Sequence, residues 1–472
     1  MSALWTSDDA AAATGGSNTT PWTAKGVSID SRSVQQDDLF IAIEGPNNDG
    51  HDHIANATAN GAAAAMAARK ETIGTAPALL VDDTMAGMRA LASHARRRGG
   101  AKIAAVTGSV GKTGTKDTLS LALRRQAKTH ATKGNLNNHW GLPLSLARMP
   151  QEARFGVLEM GMNSPGEIAP LSKLAEPDVA IITNVSAVHI EFFESEEAIA
   201  DAKAEIFAGM DSNGTAILNR DNRHFDRLRE HADAAGIGRI RSFGTHEDAD
   251  IRLTVSEPQA QGSRVTAEVD GTPISYTVGA PGAHWVINSL GVLAVVDALE
   301  ADIGDAAAAM ADVAPAEGRG AQSNISISGG TFLLIDESYN ASPASTRAAL
   351  NVLGEASGRR IAVLGDMLEL GTQSAALHAT LAEEIERNNI HLLFLAGTGM
   401  ASLAKAVDAG IVAATGPTSD AILAQVIEAV RPGDTVMVKG SLGSRMAPIV
   451  AALKALTVPG NGTETRRAVN GR

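Results

Sequence analysis

One short segment constrains the fold more than any other. Lys102–Val106 reads as a strand; it runs into Thr107-Gly108-Ser109-Val110-Gly111-Lys112-Thr113, and a helix follows to about Arg125. Glycines at 108 and 111 let backbone N–H groups turn inward around phosphate oxygens, and the helix N-terminus adds its positive dipole end. Lys112 can reach the outer phosphates of a nucleotide, and the Thr113 hydroxyl can hold Mg²⁺. The general pattern G-x-x-x-x-G-K-[ST] is met only in part, because Val106 stands at its first glycine. The loop predicts use of a nucleoside triphosphate. It does not choose between motion, phosphoryl transfer and bond formation.

The rest of the chain fits a sheet built around such a loop. Phe155–Glu159 and Val179–Thr183 are short continuous apolar runs, the mark of strands buried on both faces. Trp285–Leu299 reads as a buried helix. Strands alternating with helices predict a doubly wound α/β sheet. Earlier, Gly26–Ile29, Asp38–Ile43 and Ala78–Val81 are strand candidates, and the Ala-rich stretch Asn60–Lys70 predicts a helix. Gly99-Gly100 reads as a linker. After a turn-rich pause at Pro315–Gly320 come Thr331–Ile335, Arg360–Leu364, His391–Ala396 and Thr435–Lys439, again with helices between. The tail Pro459–Arg472 is polar and predicts disorder. A domain takes ~100–200 residues, so a chain of 472 is expected to hold two to four. The boundaries suggested are 1–100, 101–317 and 318–472.

Composition excludes several functions. There is no cysteine, which removes disulfides, thiol catalysis and cysteine metal sites. The net charge is −13, and a nucleic-acid binder usually shows a basic domain or stripe. Arg96–Arg98 and Arg124–Arg125 are short clusters, read as solvated helix ends. No apolar run reaches the 18 residues needed to span a bilayer, and Met1–Ala13 carries Asp8 and Asp9 instead of a basic leader. A cytoplasmic protein without a nucleic-acid partner is expected. Aromatics are only 3%, so Ala, Leu, Val and Ile must build the cores.

Three residues downstream suggest chemistry. Glu159 ends a strand, where ligand groups collect in open sheets; it is placed to hold Mg²⁺ or to cap the surface. His189 follows the next strand and its loop, and reads either as a ligand or as a satisfied polar side chain. Lys203 lies on a predicted helix, where residue type alone makes it a solvated lysine.

Several motifs together resemble the Mur ligases, ATP-dependent amide-bond-forming enzymes of peptidoglycan precursor synthesis. They run from about Val27 to Met446. Ser28-Ile29-Asp30-Ser31-Arg32, Asp38–Ala42 and Gly45 through Asp52 resemble the family's uridine-nucleotide-binding domain. Thr107–Thr113 matches its shortened phosphate loop. Gly134-Asn135-Leu136-Asn137-Asn138 is similar to the segment lining the reaction centre, and Glu159-Met160-Gly161 continues the match. His284–Ser289 resembles the helix whose Asn, here Asn288, meets adenine. Glu317-Gly318-Arg319 resembles the hinge, and Asp336–Pro343, with Tyr339 and Asn340, the segment touching ribose and base. Leu364–Gly371 and Lys439-Gly440-Ser441 complete it.

The resemblance implies a three-domain α/β protein, with a central P-loop parallel-sheet domain and a Rossmann-like third domain. It implies ATP and two Mg²⁺ ions. One ion would sit on Thr113 and Glu159, the other on His189 and a carbamylated Lys203. Ser31, Arg32, Asn135, Asn137, Asn138 and Ser186 are the substrate contacts it implies. Asp366-Met367-Leu368-Glu369-Leu370-Gly371, with no Asp-Asn-Pro-Arg motif, favours members that add D-alanyl-D-alanine to UDP-N-acetylmuramoyl-tripeptide over those that add a diamino acid. A monomer is expected.

Overall fold

A computed structural model describes residues 3–188, 190–259 and 261–457. The expected tail Pro459–Arg472 lies outside the described residues. Three large sheets carry the chain, beside a two-stranded antiparallel pair of Trp5–Thr6 with Thr23–Ala24. The first has five strands in the order Ser17–Asn18, Ala78–Leu80, Ala64–Ala67, Asp38–Ile41, Gly26–Ser28. All neighbours are parallel except the first pair.

The second sheet has nine strands. Its parallel part runs Arg239–Gly244, Thr215–Asn219, Val179–Ile182, Lys102–Thr107, Phe155–Glu159, Thr129–Ala131. Alternate residues face opposite layers, as the pleat requires. Ala105, Leu158 and Ile182 enter one buried cluster, while Val106, Val157 and Ile181 enter the other. The second cluster is sealed by helix Ala283–Ala298, whose segment from Ser289 to Val296 is wholly buried. The third sheet has six strands, in the order Ala321–Ile327, Gly330–Glu337, Thr435–Lys439, Arg360–Gly365, Leu392–Ala396, Val412–Gly416. Only its first pair is antiparallel.

Three expectations are corrected. The Ala-rich stretch 60–70 is not a helix. The helix is Ile54–Ala59, and Ala64–Ala67 is a strand buried on both faces between two parallel neighbours. Alanine's helix preference is a weak prior; Gly61, at φ +103, ends the helix, and the sheet takes the small side chains. The nine-stranded sheet also extends beyond the doubly wound pattern. Ile251–Pro258 adds in parallel to Arg239–Gly244, and Ser263–Val269 and Thr272–Val278 then fold back antiparallel.

The third correction concerns the arginines. Arg96 and Arg98 are not solvated helix ends. Arg96 donates to Ala175 O at 2.7 Å, Ala101 O at 3.0 Å and Glu176 O at 2.8 Å. Arg98 lies 4.1 Å over the buried Trp5 ring and donates to Leu4 O and Met149 O. Trp5 itself donates to Ala147 O at 2.9 Å. These contacts fasten the first unit to the second. Arg98→Ala is expected to cost about 1–3 kcal/mol, read as a lower denaturant midpoint. An unchanged midpoint would mean that this clasp adds nothing.

Candidate active site

The loop 107–113 closes the carboxyl end of strand Lys102–Thr107, between neighbours Phe155–Glu159 and Val179–Ile182. Strand order reverses here, the place where open sheets bind ligands. Both neighbours grip the loop. Thr107 Oγ1 donates to Met160 O at 2.8 Å, and Thr183 N–H donates to Thr107 O at 2.9 Å. Ser109 N–H donates to Asn184 O at 2.7 Å, and Thr183 Oγ1 to Val110 O at 2.6 Å. Gly111 opens the helix Lys112–Arg124 at φ +84, and a Cβ there would meet Asn288 Nδ2 at 2.8 Å. Glycine thus lets the Asn288 amide stand against the loop. Lys112 Nζ donates to Gly108 O at 2.6 Å. Burial pushes its ammonium below the ordinary lysine range, the Glu159 carboxylate opposes that, and Arg319 adds to it.

Glu159 is only 1% exposed. Its Oε1 accepts from Asn137 Nδ2 at 2.7 Å, while Oε2 is sealed with no hydrogen-bond partner. A buried carboxylate oxygen without a donor is costly, and a cation would satisfy it. Among the described residues no group of three or more His, Asp or Glu surrounds one position. One carboxylate beside a phosphate loop and the buried Thr113 suits Mg²⁺, which commonly takes one or two carboxylates and completes its shell with phosphate oxygens and water. Lys203 lies on helix Glu196–Ala204, 4% exposed. Its side chain has no hydrogen bond or ion pair among the described residues. Burial pushes it well below the ordinary lysine range, and the Lys112 charge adds to the effect. His189 lies outside the described residues.

A cleft of about 2890 Å³ connects these groups to the first and third units. Lys112, Thr113, Glu159, Asn135, Asn137, Asn288, Arg319, Tyr339 and Asn340 all line it. The Arg319 guanidinium stacks 4.0 Å over the Tyr339 ring. Asn135 Nδ2 donates to Tyr339 Oη at 2.9 Å, so the loop after strand Thr129–Ala131 meets the third unit directly. Lys439 is buried; its Nζ donates to Asn340 O at 3.0 Å and pairs with Glu337 at 3.1 Å.

Other expected site residues stand elsewhere. Arg32 points to the surface, and its hydrogen bonds lower the Asp30 carboxyl pKa to about 2. Ser31 is buried, with its carbonyl bonded to Asn60. It is Asp30 and Ser28 that line the cleft. Asn138 instead accepts from the N–H groups of Trp140 and Gly141, at the start of helix Gly141–Ala147. Ser186 serves through its backbone, pairing both ways with Ser109 Oγ at 3.0 Å. Asp336 is buried and accepts from Gly318 N–H, Ser338 N–H and Ser338 Oγ. It pins the hinge and does not line the cleft. Lys203, Thr107 and Gly108 lie behind the lining.

Two cleft residues were not anticipated. Lys116, one turn beyond Lys112, is 2% exposed and donates to Thr132 O at 3.0 Å. Thr132 Oγ1 in turn accepts from Glu159 N–H. Arg148 donates to Val27 O at 2.6 Å across the junction with the first unit. The i, i+4 lysine spacing on the phosphate helix was a usable signal for Lys116. Nothing in the sequence marked Arg148.

Comparison with known proteins agrees with this architecture. Three family models match in succession: "Mur ligase family, catalytic domain" over residues 23–105, "Mur ligase middle domain" over 106–296, and "Mur ligase, glutamate ligase domain" over 325–442. The UDP-N-acetylmuramoyl-tripeptide–D-alanyl-D-alanine ligase of Escherichia coli is 32% identical, over 92% of this chain and 94% of that one. A crystal structure of MurF from Acinetobacter baumannii superposes with a TM-score of 0.84 at 29% identity, covering 96% of this chain and 99% of that one. MurF ligase from Thermotoga maritima in complex with ADP gives 0.75 at 29%, covering 91% and 97%.

Proposed function

The chain belongs to the Mur ligase family, and from that premise we propose that it joins D-alanyl-D-alanine to UDP-N-acetylmuramoyl-tripeptide at the expense of ATP. The observation that carries the reading is one cleft holding a phosphate loop, a buried half-satisfied carboxylate and the loops of a third unit. Residues 1–100, 101–317 and 318–472 serve as the three domains, for the uridine nucleotide, for ATP and for the incoming dipeptide.

A carboxylate must be activated before an amine can displace its oxygen. Lys112 and the loop amides bind the outer phosphates and neutralise charge that develops on the γ-phosphoryl group. The tripeptide's terminal carboxylate oxygen attacks the γ-phosphorus and ADP leaves, giving an acyl phosphate. The dipeptide amine attacks the acyl carbon, phosphate leaves, and the nitrogen loses a proton. Arg319, stacked on Tyr339, lines the same cleft and would add positive charge towards those phosphates. Closure between the second and third units excludes water that would hydrolyse the acyl phosphate.

Thr113 and Glu159 would hold Mg²⁺, which would supply charge neutralisation between the two reacting anions. His189 and a carbamylated Lys203 form the second cation position of this proposal. A buried lysine without an acceptor, beside the Lys112 charge, favours a neutral amine, the form that takes up carbon dioxide. The resulting carbamate would also end the repulsion by Lys112. Among the described residues no helix is long and apolar enough to cross a membrane. A cytoplasmic monomer acting on these two substrates, with no nucleic acid, completes the proposal.

The test is phosphate release from ATP and Mg²⁺ with UDP-N-acetylmuramoyl-tripeptide. Release should require D-alanyl-D-alanine and fail with lysine, diaminopimelate or no amine. Equal release without any amine would leave a P-loop ATPase. Release with a diamino acid and the dipeptide nucleotide would make the chain a different Mur ligase.

A further inference from the structure

Among the described residues four large apolar side chains stand exposed: Phe192, Val255, Leu368 and Leu442. Leu368 and Leu442, 44% and 67% exposed, line the cleft. They stand on loops leaving the carboxyl ends of adjacent parallel strands, Arg360–Gly365 and Thr435–Lys439. The two loops are tied together. Ser441 N–H donates to Asp366 O at 3.0 Å, and Leu368 N–H donates to Ser441 Oγ at 2.9 Å. Ser441 Oγ also donates to Ala341 O at 3.2 Å, which adds the loop of the third neighbouring strand. A Cβ on Gly443 would meet Leu368 Cδ1 at 2.7 Å. The Leu368 side chain therefore rests directly on the second loop, at a position that glycine keeps open. Neither leucine belongs to the core of its unit, whose other large apolar side chains are buried or half-buried.

We infer that Leu368 and Leu442 form the wall that receives the methyl groups of the incoming D-dipeptide, and that they exclude acceptors with a charged side chain. The inference rests on the ligase reading above. The cleft runs without interruption from Lys112 and Glu159 to both leucines, so an amine attacking a carboxylate activated at the phosphate loop approaches through this space. The dipeptide brings two methyl side chains next to its attacking amine, whereas the methyl groups of the nucleotide substrate sit on its N-acetyl, lactyl and alanyl units, remote from the terminal carboxylate that is activated. A diamino acid would have to leave water with an ammonium pressed against leucine, which is costly without a partner. Discrimination here is built by the repulsive element as much as by the attractive one.

The test is steady-state kinetics of the full chain and of Leu368→Ala, Leu442→Ala and Leu442→Asp, with D-alanyl-D-alanine, glycylglycine and diaminopimelate as acceptors. Each alanine variant should raise KM for D-alanyl-D-alanine about 10-fold and narrow its advantage over glycylglycine, with KM for ATP and the nucleotide changed by less than about twofold. Leu442→Asp should lower the preference for D-alanyl-D-alanine over diaminopimelate. Unchanged acceptor KM and preference in all three variants would overturn the inference. So would an equal rise in KM for all three substrates, which would mean general collapse of the cleft. If the unsubstituted chain ligates no D-dipeptide, the ligase reading itself fails, and the inference with it.

Discussion

Lys112→Ala is expected to abolish ligation, lowering kcat/KM by at least about 10³-fold, the scale seen when a charge aimed at a transferring phosphoryl group is removed. The fold should survive. Lys112 bonds only to Gly108 O within its own loop, and burial already works against its charge. The thermal midpoint of Lys112→Ala should therefore lie close to that of the unsubstituted chain, while nucleotide-dependent protection against unfolding is lost. A variant that ligates normally would mean that Gly108–Thr113 is an ordinary strand–helix turn. A variant that fails to fold would make the lysine structural, and Lys112→Met would then separate charge from bulk.

Lys203→Ala should lose at least about 100-fold in kcat, the loss typical when a group supporting a catalytic cation goes. A short carboxylic acid such as acetate should restore part of it. The side chain is 4% exposed and has no polar partner among the described residues. Its removal opens a space where a small carboxylate can stand in for a carbamate. Rescue has to depend on the anion. Ethylamine, which restores a cation of similar size, should not help. A fully active Lys203→Ala chain would remove the carbamate from the account. Rescue by the amine alone would make the ammonium the working group.

The loop, its strand and its helix were legible because their chemistry is local: successive residues build the cradle. Buried parallel strands such as Phe155–Glu159 and Thr435–Lys439 were legible for the same reason, since both faces are apolar. The strand Ser263–Val269 escaped because one face is wet and its pattern is alternation, not a run, and Ile251–Pro258 escaped because residues 254–258 are exposed on both faces. Asp270-Gly271 was a hairpin signal at hand, and both residues do adopt positive φ.

Contacts between units could not be read from spacing. Asn135 and Tyr339 meet across 204 positions, and Arg96 and Arg98 leave solvent only because the second unit supplies carbonyls and the start of the chain supplies Trp5. Asn138 sits in a motif that resembles a reaction centre, yet in the structure it caps a helix. The resemblance locates a segment, whereas the direction of each side chain depends on packing. Exposure of Leu368 and Leu442 was likewise invisible, because apolar residues in a strand–loop junction predict burial.

The most direct measurement follows oxygen. UDP-N-acetylmuramoyl-tripeptide labelled with ¹⁸O in its terminal carboxylate would be turned over with ATP and D-alanyl-D-alanine, and the released phosphate analysed by mass. If the carboxylate attacks the γ-phosphorus in this cleft, one labelled oxygen leaves with the phosphate and the ligated nucleotide retains the other. Unlabelled phosphate alongside the ligated product would contradict acyl phosphate activation. Unlabelled phosphate with no ligated product would contradict ligation itself.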